Sequence, residues 1–217
     1  MKKVILVTIA VIVVTMFASV AALANPYTIG AENGRIMPPA GLGLDLNSVI
    51  GQAHQSPLAL DAQLSYGVSS SVTLAGEVQD LTGSNPDMMA KLYYSPTHDG
   101  TGYTAYLGYD LAKNNLPVYG LSMWSDFKYL FAFVDLESNQ NQDKGSMMIT
   151  PGATLKLGSK LRVGGEMSLK MENWTEQHLR IGGSYALSKK MSVKVNLDNG
   201  FGKNRGQVWS TGVAVEL

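Results

Sequence analysis

Apolar and polar residues alternate along most of this chain, in segments of about ten residues separated by turn-like stretches. The last segment shows the pattern most clearly. One of its faces carries Trp209, Thr211, Val213, Val215 and Leu217, and the other carries Ser210, Gly212, Ala214 and Glu216. Alternation over this length predicts half-buried β-strands. Because no other part of the chain offers an apolar layer to cover these faces, the pattern favours a sheet closed on itself with its apolar side in lipid.

Eleven such segments lie between Leu58 and Leu217, joined mostly in alternation by short turns and by longer, more polar loops. This alternation is typical of transmembrane barrels, whose two rims carry connections of different length. The short turns fall on the rim where the chain ends, which predicts an even number of strands, and residues 42–47 supply a further one. The sequence therefore predicts an all-β protein, a closed antiparallel transmembrane β-barrel of about 12 strands, with about 10 as the alternative.

One segment, 128–137, leaves its orientation open. Tyr129, Phe131 and Phe133 alternate with Leu130, Ala132 and Val134, so both faces are apolar. The alternation alone does not predict which face points inward.

The first residues predict export. Lys2 and Lys3 precede a long apolar run that ends in Ala22-Leu23-Ala24, which is the pattern of a secretory signal peptide cleaved after Ala24. The run is also long enough for an uncleaved membrane anchor, which is the alternative interpretation. The predicted organisation is 1–24 signal peptide, 25–41 irregular N-terminal segment and 42–217 barrel. The irregular segment either plugs the lumen or lies outside it.

Charged side chains in the strands are predicted to face the lumen, because each would cost several kcal/mol in lipid. The predicted lumen-lining set is Asp61, Glu77, Lys91, Asp110, Lys156, Arg162, Glu166, Lys170, Arg180, Lys194 and Asp198, with Glu216 at the chain end. Both signs are present, so the set argues against strong selectivity for anions or cations. Two interpretations stay open: an ion-lined pore, or a packed lumen whose charges only pair with one another.

Residues of the opposite parity are predicted to contact lipid. The lipid-facing set is Leu64, Leu74, Leu161, Val163, Leu179, Ile181, Val193, Val195, Val213 and Val215. Aromatic rings near the strand ends predict belts at headgroup depth. These interface aromatics are Tyr66, Tyr94, Tyr103, Tyr109, Trp124, Tyr185 and Trp209.

Little in the sequence points to catalysis, and the chain is predicted not to be an enzyme. Cysteine is absent, which excludes disulfides and thiolate sites. His54, His98 and His178 are scattered, so no metal site and no cofactor is predicted. An enzyme would need one of them beside a nucleophile or an acid–base partner. Acidic and basic residues nearly balance, which gives no indication of nucleic-acid binding.

The export signal, the hairpin pattern and the terminal strand together resemble bacterial outer-membrane β-barrel proteins, over essentially all of the chain after residue 24. In that class the last residue is typically aromatic and serves in recognition by the barrel-assembly machinery, whereas here it is Leu217. Twelve-stranded members of the class include narrow solute-specific porins, nucleoside channels, an outer-membrane phospholipase and autotransporter translocators. No motif in this chain selects one of them.

The resemblance implies a location in the bacterial outer membrane, with lipid as a partner and the barrel-assembly machinery as a second partner during biogenesis. It does not indicate an oligomeric state. The expected function is a porin-like passive channel for ions or small solutes. The alternatives are a structural or adhesive barrel with a plugged lumen, an outer-membrane hydrolase, and a soluble exported β-protein, which would need a second covering layer.

Overall fold

The computed structural model describes residues 37, 39–51, 58–83, 86–96, 100–111, 117–139, 146–171, 177–201 and 207–217. In these ranges the chain forms twelve β-strands. In chain order they are β1 (Leu42–Gly51), β2 (Leu58–Ser69), β3 (Val72–Gln79), β4 (Asp87–Tyr94), β5 (Thr101–Asp110), β6 (Pro117–Asp126), β7 (Leu130–Asn139), β8 (Ser146–Leu157), β9 (Leu161–Lys170), β10 (Gln177–Ala186), β11 (Met191–Phe201) and β12 (Gln207–Glu216). The predicted signal peptide and most of the irregular segment lie outside the described residues. No helix in these ranges has the length and apolar character needed to cross a membrane.

Each strand pairs antiparallel with its neighbours in the chain, and β1 pairs with β12 to close the sheet. In that closing ladder Leu46 lies opposite Val213, and Asn47 lies opposite Gly212. Closure removes both free edges of the sheet. The predicted closed, all-β barrel of 12 strands is therefore confirmed, and the ten-stranded alternative is wrong.

The barrel has two rims with different connections. β1 begins and β12 ends at one rim, which we call the terminal rim, and we call the opposite one the loop rim. Tight turns at the terminal rim include Ser70–Ser71 and the turn after β8, where Gly158 has a φ of 75°. That left-handed conformation suits glycine. The connections at the loop rim span five to seven residues, whereas those at the terminal rim span two to four, apart from 95–100 between β4 and β5.

Side chains alternate between the two faces of the barrel wall. On the outer face Leu64 and Ile181 leave 50% and 51% of their surface exposed. On the inner face Thr154 and Lys194 are buried. Most of the large apolar residues of the described strands therefore face outward, which is the reverse of the arrangement in a water-soluble globule.

The pairing of β6 with β7 fixes the face that the sequence left open. Phe131 lies opposite Asp126 and Phe133 lies opposite Trp124, so both phenylalanines point inward. The same parity places Asp135 on the inner face, nearer the loop rim than the two phenylalanines. The phenylalanine rings are buried, and the Trp124 ring stacks on Phe131 with their centroids 6.2 Å apart.

The chain enters β1 from inside the terminal rim. The backbone N–H of Met37 donates a hydrogen bond of 2.8 Å to the hydroxyl of Thr73, an inward residue of β3. The Met37 side chain packs over the inner face of Gly43. Ala40 then donates from its backbone N–H to the carbonyl of Gly67, at 2.8 Å, as the chain turns into the strand. Met37 therefore occupies lumen space at this rim.

Candidate functional site: the inner face of the barrel

All charged side chains of the described strands belong to the inner face. Eleven are carboxylates: Asp45, Asp61, Glu77, Asp87, Asp110, Asp126, Asp135, Glu137, Glu166, Asp198 and Glu216. Six are basic: Lys91, Lys156, Arg162, Lys170, Arg180 and Lys194. The outer positions of the same strands carry no charged residue.

The register places the eleven residues of the predicted lumen-lining set on this inner face. It adds five carboxylates that the prediction did not include, namely Asp45, Asp87, Asp126, Asp135 and Glu137. Two of these lie on β7, whose orientation the alternation left open. Asp45 alternates with Leu44 and Leu46, so its position on the polar face could be predicted from the sequence.

The ten residues of the predicted lipid-facing set lie on the outer face, as do six of the seven predicted interface aromatics. Trp124 differs from that prediction. Its ring turns inward and packs against Phe131 and Phe133, because residues of even number face the lumen in β6. Aromatic clustering at a rim therefore does not by itself distinguish an outer belt from an inner cluster.

A three-strand ionic network lies on β9, β10 and β11. The Arg180 guanidinium donates to Glu166 Oε1 at 2.8 Å and to Asp198 Oδ2 at 3.0 Å. His178 Nδ1 lies 3.5 Å from Asp198 Oδ1. The Glu166 side chain is only 5% exposed, whereas Arg180 is 34% exposed. The arginine therefore reaches lumen water while it neutralises a buried carboxylate.

A second network combines charges with tyrosine hydroxyls on β3, β4, β5 and β7. Lys91 Nζ lies 3.2 Å from Glu77 Oε2 and 5.3 Å from the centre of the Tyr106 ring. The Tyr106 hydroxyl donates to Glu137 Oε2 at 2.5 Å, and the Tyr93 hydroxyl donates to Glu77 Oε1 at 3.3 Å. The tyrosine rings are buried, so they offer no free face for stacking a solute.

Two further ion pairs lie in the terminal-rim half of the lumen. Lys194 Nζ lies 2.6 Å from Asp45 Oδ2 and so connects β11 to β1 across β12. Lys156 pairs with Asp126, which connects β8 to β6 across β7. Each pair therefore links two strands that are not neighbours in the sheet.

Glycines let large inward side chains lie flat on the wall. A Cβ atom on Gly120 would overlap the Tyr106 ring, and one on Gly152 would overlap the Phe133 ring. Each glycine therefore leaves room at the wall for a ring that would otherwise project toward the barrel axis.

The three histidines are divided between the inner face and parts of the chain outside the described residues. His178 and Asp198 belong to the arginine network, whereas His54 and His98 lie outside the described residues. Within those residues no group of three or more histidine, aspartate or glutamate side chains has the geometry to hold a metal ion.

Comparison with known proteins locates the fold but no close relative. No protein-family description matches the chain, and no curated protein matches it. Solved structures do match. KdgM porin has 13% sequence identity and a TM-score of 0.64 over 80% of this chain and 98% of that chain. The same porin in complex with disordered oligogalacturonate gives a TM-score of 0.65, and NanC porin gives 0.60 at 13% identity, over 80% of this chain and 100% of that one.

At this identity the match concerns architecture. Both porins are covered almost completely, so no large domain of theirs is missing from the comparison. The chain therefore has the fold of the small porins KdgM and NanC and is a small, porin-like β-barrel.

Proposed function

We propose that the protein is a passive channel of the bacterial outer membrane, open to ions and small water-soluble solutes. The observation that carries the proposal is the separation of charge from apolar surface across one wall. Seventeen aspartate, glutamate, lysine and arginine side chains point inward, and none points outward, in the described strands. A charged side chain on the lipid side would cost about 2–4 kcal/mol at the membrane midplane. The arrangement thus suits lipid outside and water inside.

Several features support a wetted lumen. Arg180, His178 and Asp126 keep between 27% and 34% of their side-chain surface accessible. The glycine positions described above keep aromatic rings against the wall. A barrel of twelve strands lies between the eight-stranded barrels that side chains fill and the sixteen-stranded porins that hold an aqueous channel.

The predicted signal peptide supports export, and the apolar outer face supports insertion in the outer membrane after export. We therefore also propose outer-membrane lipid and the barrel-assembly machinery as partners. The KdgM structure with oligogalacturonate concerns a polyanion. In this chain carboxylates outnumber basic residues on the inner face, so we do not propose a polyanion as its solute.

One observation favours a second candidate, a barrel with a closed lumen and a structural role. Met37 lies inside the terminal rim against Gly43 and Thr73, where it narrows the mouth. The two candidates differ in a measurable way, because only a channel admits water-soluble reagents to the inner wall along its length.

Cysteine accessibility separates the two candidates, and the natural chain contains no cysteine. Ser168 and Met167 are neighbours on β9 that point inward and outward, respectively. In liposomes, a charged, membrane-impermeant thiol reagent should label Ser168→Cys and leave Met167→Cys unlabelled. Labelling of Ser168→Cys should also slow the flux of a small sugar through the protein. Equal protection of both cysteines, with no sugar flux, would contradict the channel and favour the closed barrel.

A further inference from the structure

The inner carboxylates are distributed unevenly along the barrel axis. Within five residues of the loop rim, the described strands carry eight carboxylates and three basic residues. The carboxylates are Asp61, Glu77, Asp87, Asp110, Asp135, Glu137, Glu166 and Asp198, and the basic residues are Lys91, Lys170 and Arg180. Nearer the terminal rim, Asp45, Asp126 and Glu216 are balanced by Lys156, Arg162 and Lys194. The acid excess therefore belongs to the loop-rim half.

The excess is also confined to one side of the lumen. Six of the eight carboxylates lie on β2 to β7, where Lys91 is the only basic residue of the described inner face. We call this group the acidic wall: Asp61, Glu77, Asp87, Asp110, Asp135 and Glu137. On β9 to β11 the two remaining carboxylates are both held by Arg180 and are accompanied by Lys170. The predicted lumen-lining set, with five acidic and six basic residues, did not show this excess, in part because it lacked Asp87, Asp135 and Glu137.

Uncharged hydrogen-bond donors contact two carboxylates of the acidic wall. Asp61 accepts from the backbone N–H of Asp80 at 2.9 Å, and Glu137 accepts from the Tyr106 hydroxyl at 2.5 Å. Such donors fix a carboxylate without cancelling its charge. The buried hydroxyl of Ser122, opposite Asp135 in the register, makes no hydrogen bond within the described part of the chain. Its oxygen adds an uncharged polar atom to the strands that carry the acidic wall.

We propose that the acidic wall makes the lumen prefer cations over anions, an inference that rests on the proposed channel function. A cleft lined by one sign of charge, with low-dielectric walls, raises the local concentration of the opposite ion. The effect depends on ionic strength, since the Debye length falls from about 30 Å at 0.01 M to about 3 Å at 1 M salt. Small cations, and small solutes carrying an ammonium group, are the favoured class.

The test is the reversal potential of the purified protein in planar bilayers under a tenfold KCl gradient. At low salt K⁺ permeability should exceed Cl⁻ permeability by roughly 3- to 10-fold, and the ratio should fall toward one near 1 M salt. Equal permeability at low salt, or a preference for Cl⁻, would overturn the inference. A barrel that conducts without selectivity leaves the channel function standing, whereas a barrel with no current at all removes that function as well.

Charge-neutralising variants test the wall itself. Asp61→Asn, Asp135→Asn and Glu137→Gln, combined in one protein, keep an acceptor oxygen at each position and should bring the permeability ratio close to one. Lys170→Gln, on the opposite side of the same half, should raise the ratio. Lys189→Gln, in an exposed turn at the terminal rim, should leave it unchanged. An unchanged ratio in the triple variant, with heat-modifiable gel migration retained, would refute the assignment, and the salt series on the natural protein tests the inference without any substitution.

Discussion

Removal of the Arg180 guanidinium provides a demanding test of the inner ionic network. Arg180→Met keeps an unbranched apolar side chain in place of the arginine stem and removes both charged hydrogen bonds, at 2.8 Å to Glu166 and 3.0 Å to Asp198. It leaves Glu166, which is 5% exposed, beside a second carboxylate without a cation. The network joins β9, β10 and β11, so the substitution acts on three strands at once.

The expected loss follows from burial. Removing one partner of a buried ion pair typically costs about 3–5 kcal/mol, because a charge remains buried without compensation. Here Arg180 is 34% exposed and Asp198 is 23% exposed, so water recovers part of that cost. We expect the free energy of unfolding to fall by about 2–4 kcal/mol.

The measurement is a reversible urea titration of the barrel in detergent micelles, read by heat-modifiable gel migration. Lys170→Met is the matched control, because it removes one inner positive charge from the neighbouring strand without the loss of a described carboxylate contact. It should change the free energy of unfolding by less than about 1 kcal/mol. Adding Glu166→Gln to Arg180→Met should restore part of the loss, since the buried charge is then gone. Equal effects of Arg180→Met and Lys170→Met would refute this reasoning.

Three further predictions concern the two faces of the wall. Gly152→Leu should displace the Phe133 ring that lies over it and lower single-channel conductance. Gly76→Leu is the control on the outer face, where a Cβ meets no atom within 4 Å, and it should leave conductance unchanged. Equal conductance of the two variants would contradict this account of the lumen. Leu121→Arg, at an exposed outer position near the middle of β6, should lower the free energy of unfolding by about 2–4 kcal/mol in lipid vesicles, and a change below about 0.5 kcal/mol would place that position outside the hydrocarbon. In variants that retain a single tryptophan, brominated lipid should quench the fluorescence of Trp209 and spare that of Trp124; quenching of both would contradict the inward position of the latter.

The strands themselves could be predicted because a period of two is a strong signal when each strand has one lipid-like face. The charges of the predicted lumen-lining set all have the parity that the barrel places inside. Even the weakest strand, at 42–47, was accessible through the parity argument on the strand number. It forms the first part of β1 and closes the sheet against β12.

Four features were not predicted from the pattern. The orientation of β7 depends on its register with β6, because Phe131 and Leu130 are equally apolar. Trp124 then follows the inner parity of its own strand rather than the rim position of its ring. The separation of acidic from basic residues was missed because the predicted lumen-lining set lacked Asp87, Asp135 and Glu137, two of which lie on β7. The position of Met37 inside the rim likewise depends on contacts with β1 and β3.

Single-channel recording tests the central claim most directly, because an aqueous path through a folded barrel must carry current. Protein shown to be folded by heat-modifiable migration, added to a planar bilayer in concentrated KCl, should produce discrete current steps of uniform size that grow in proportion to voltage. Insertion of folded protein without any current step, at any voltage, would contradict the account of a water-filled channel.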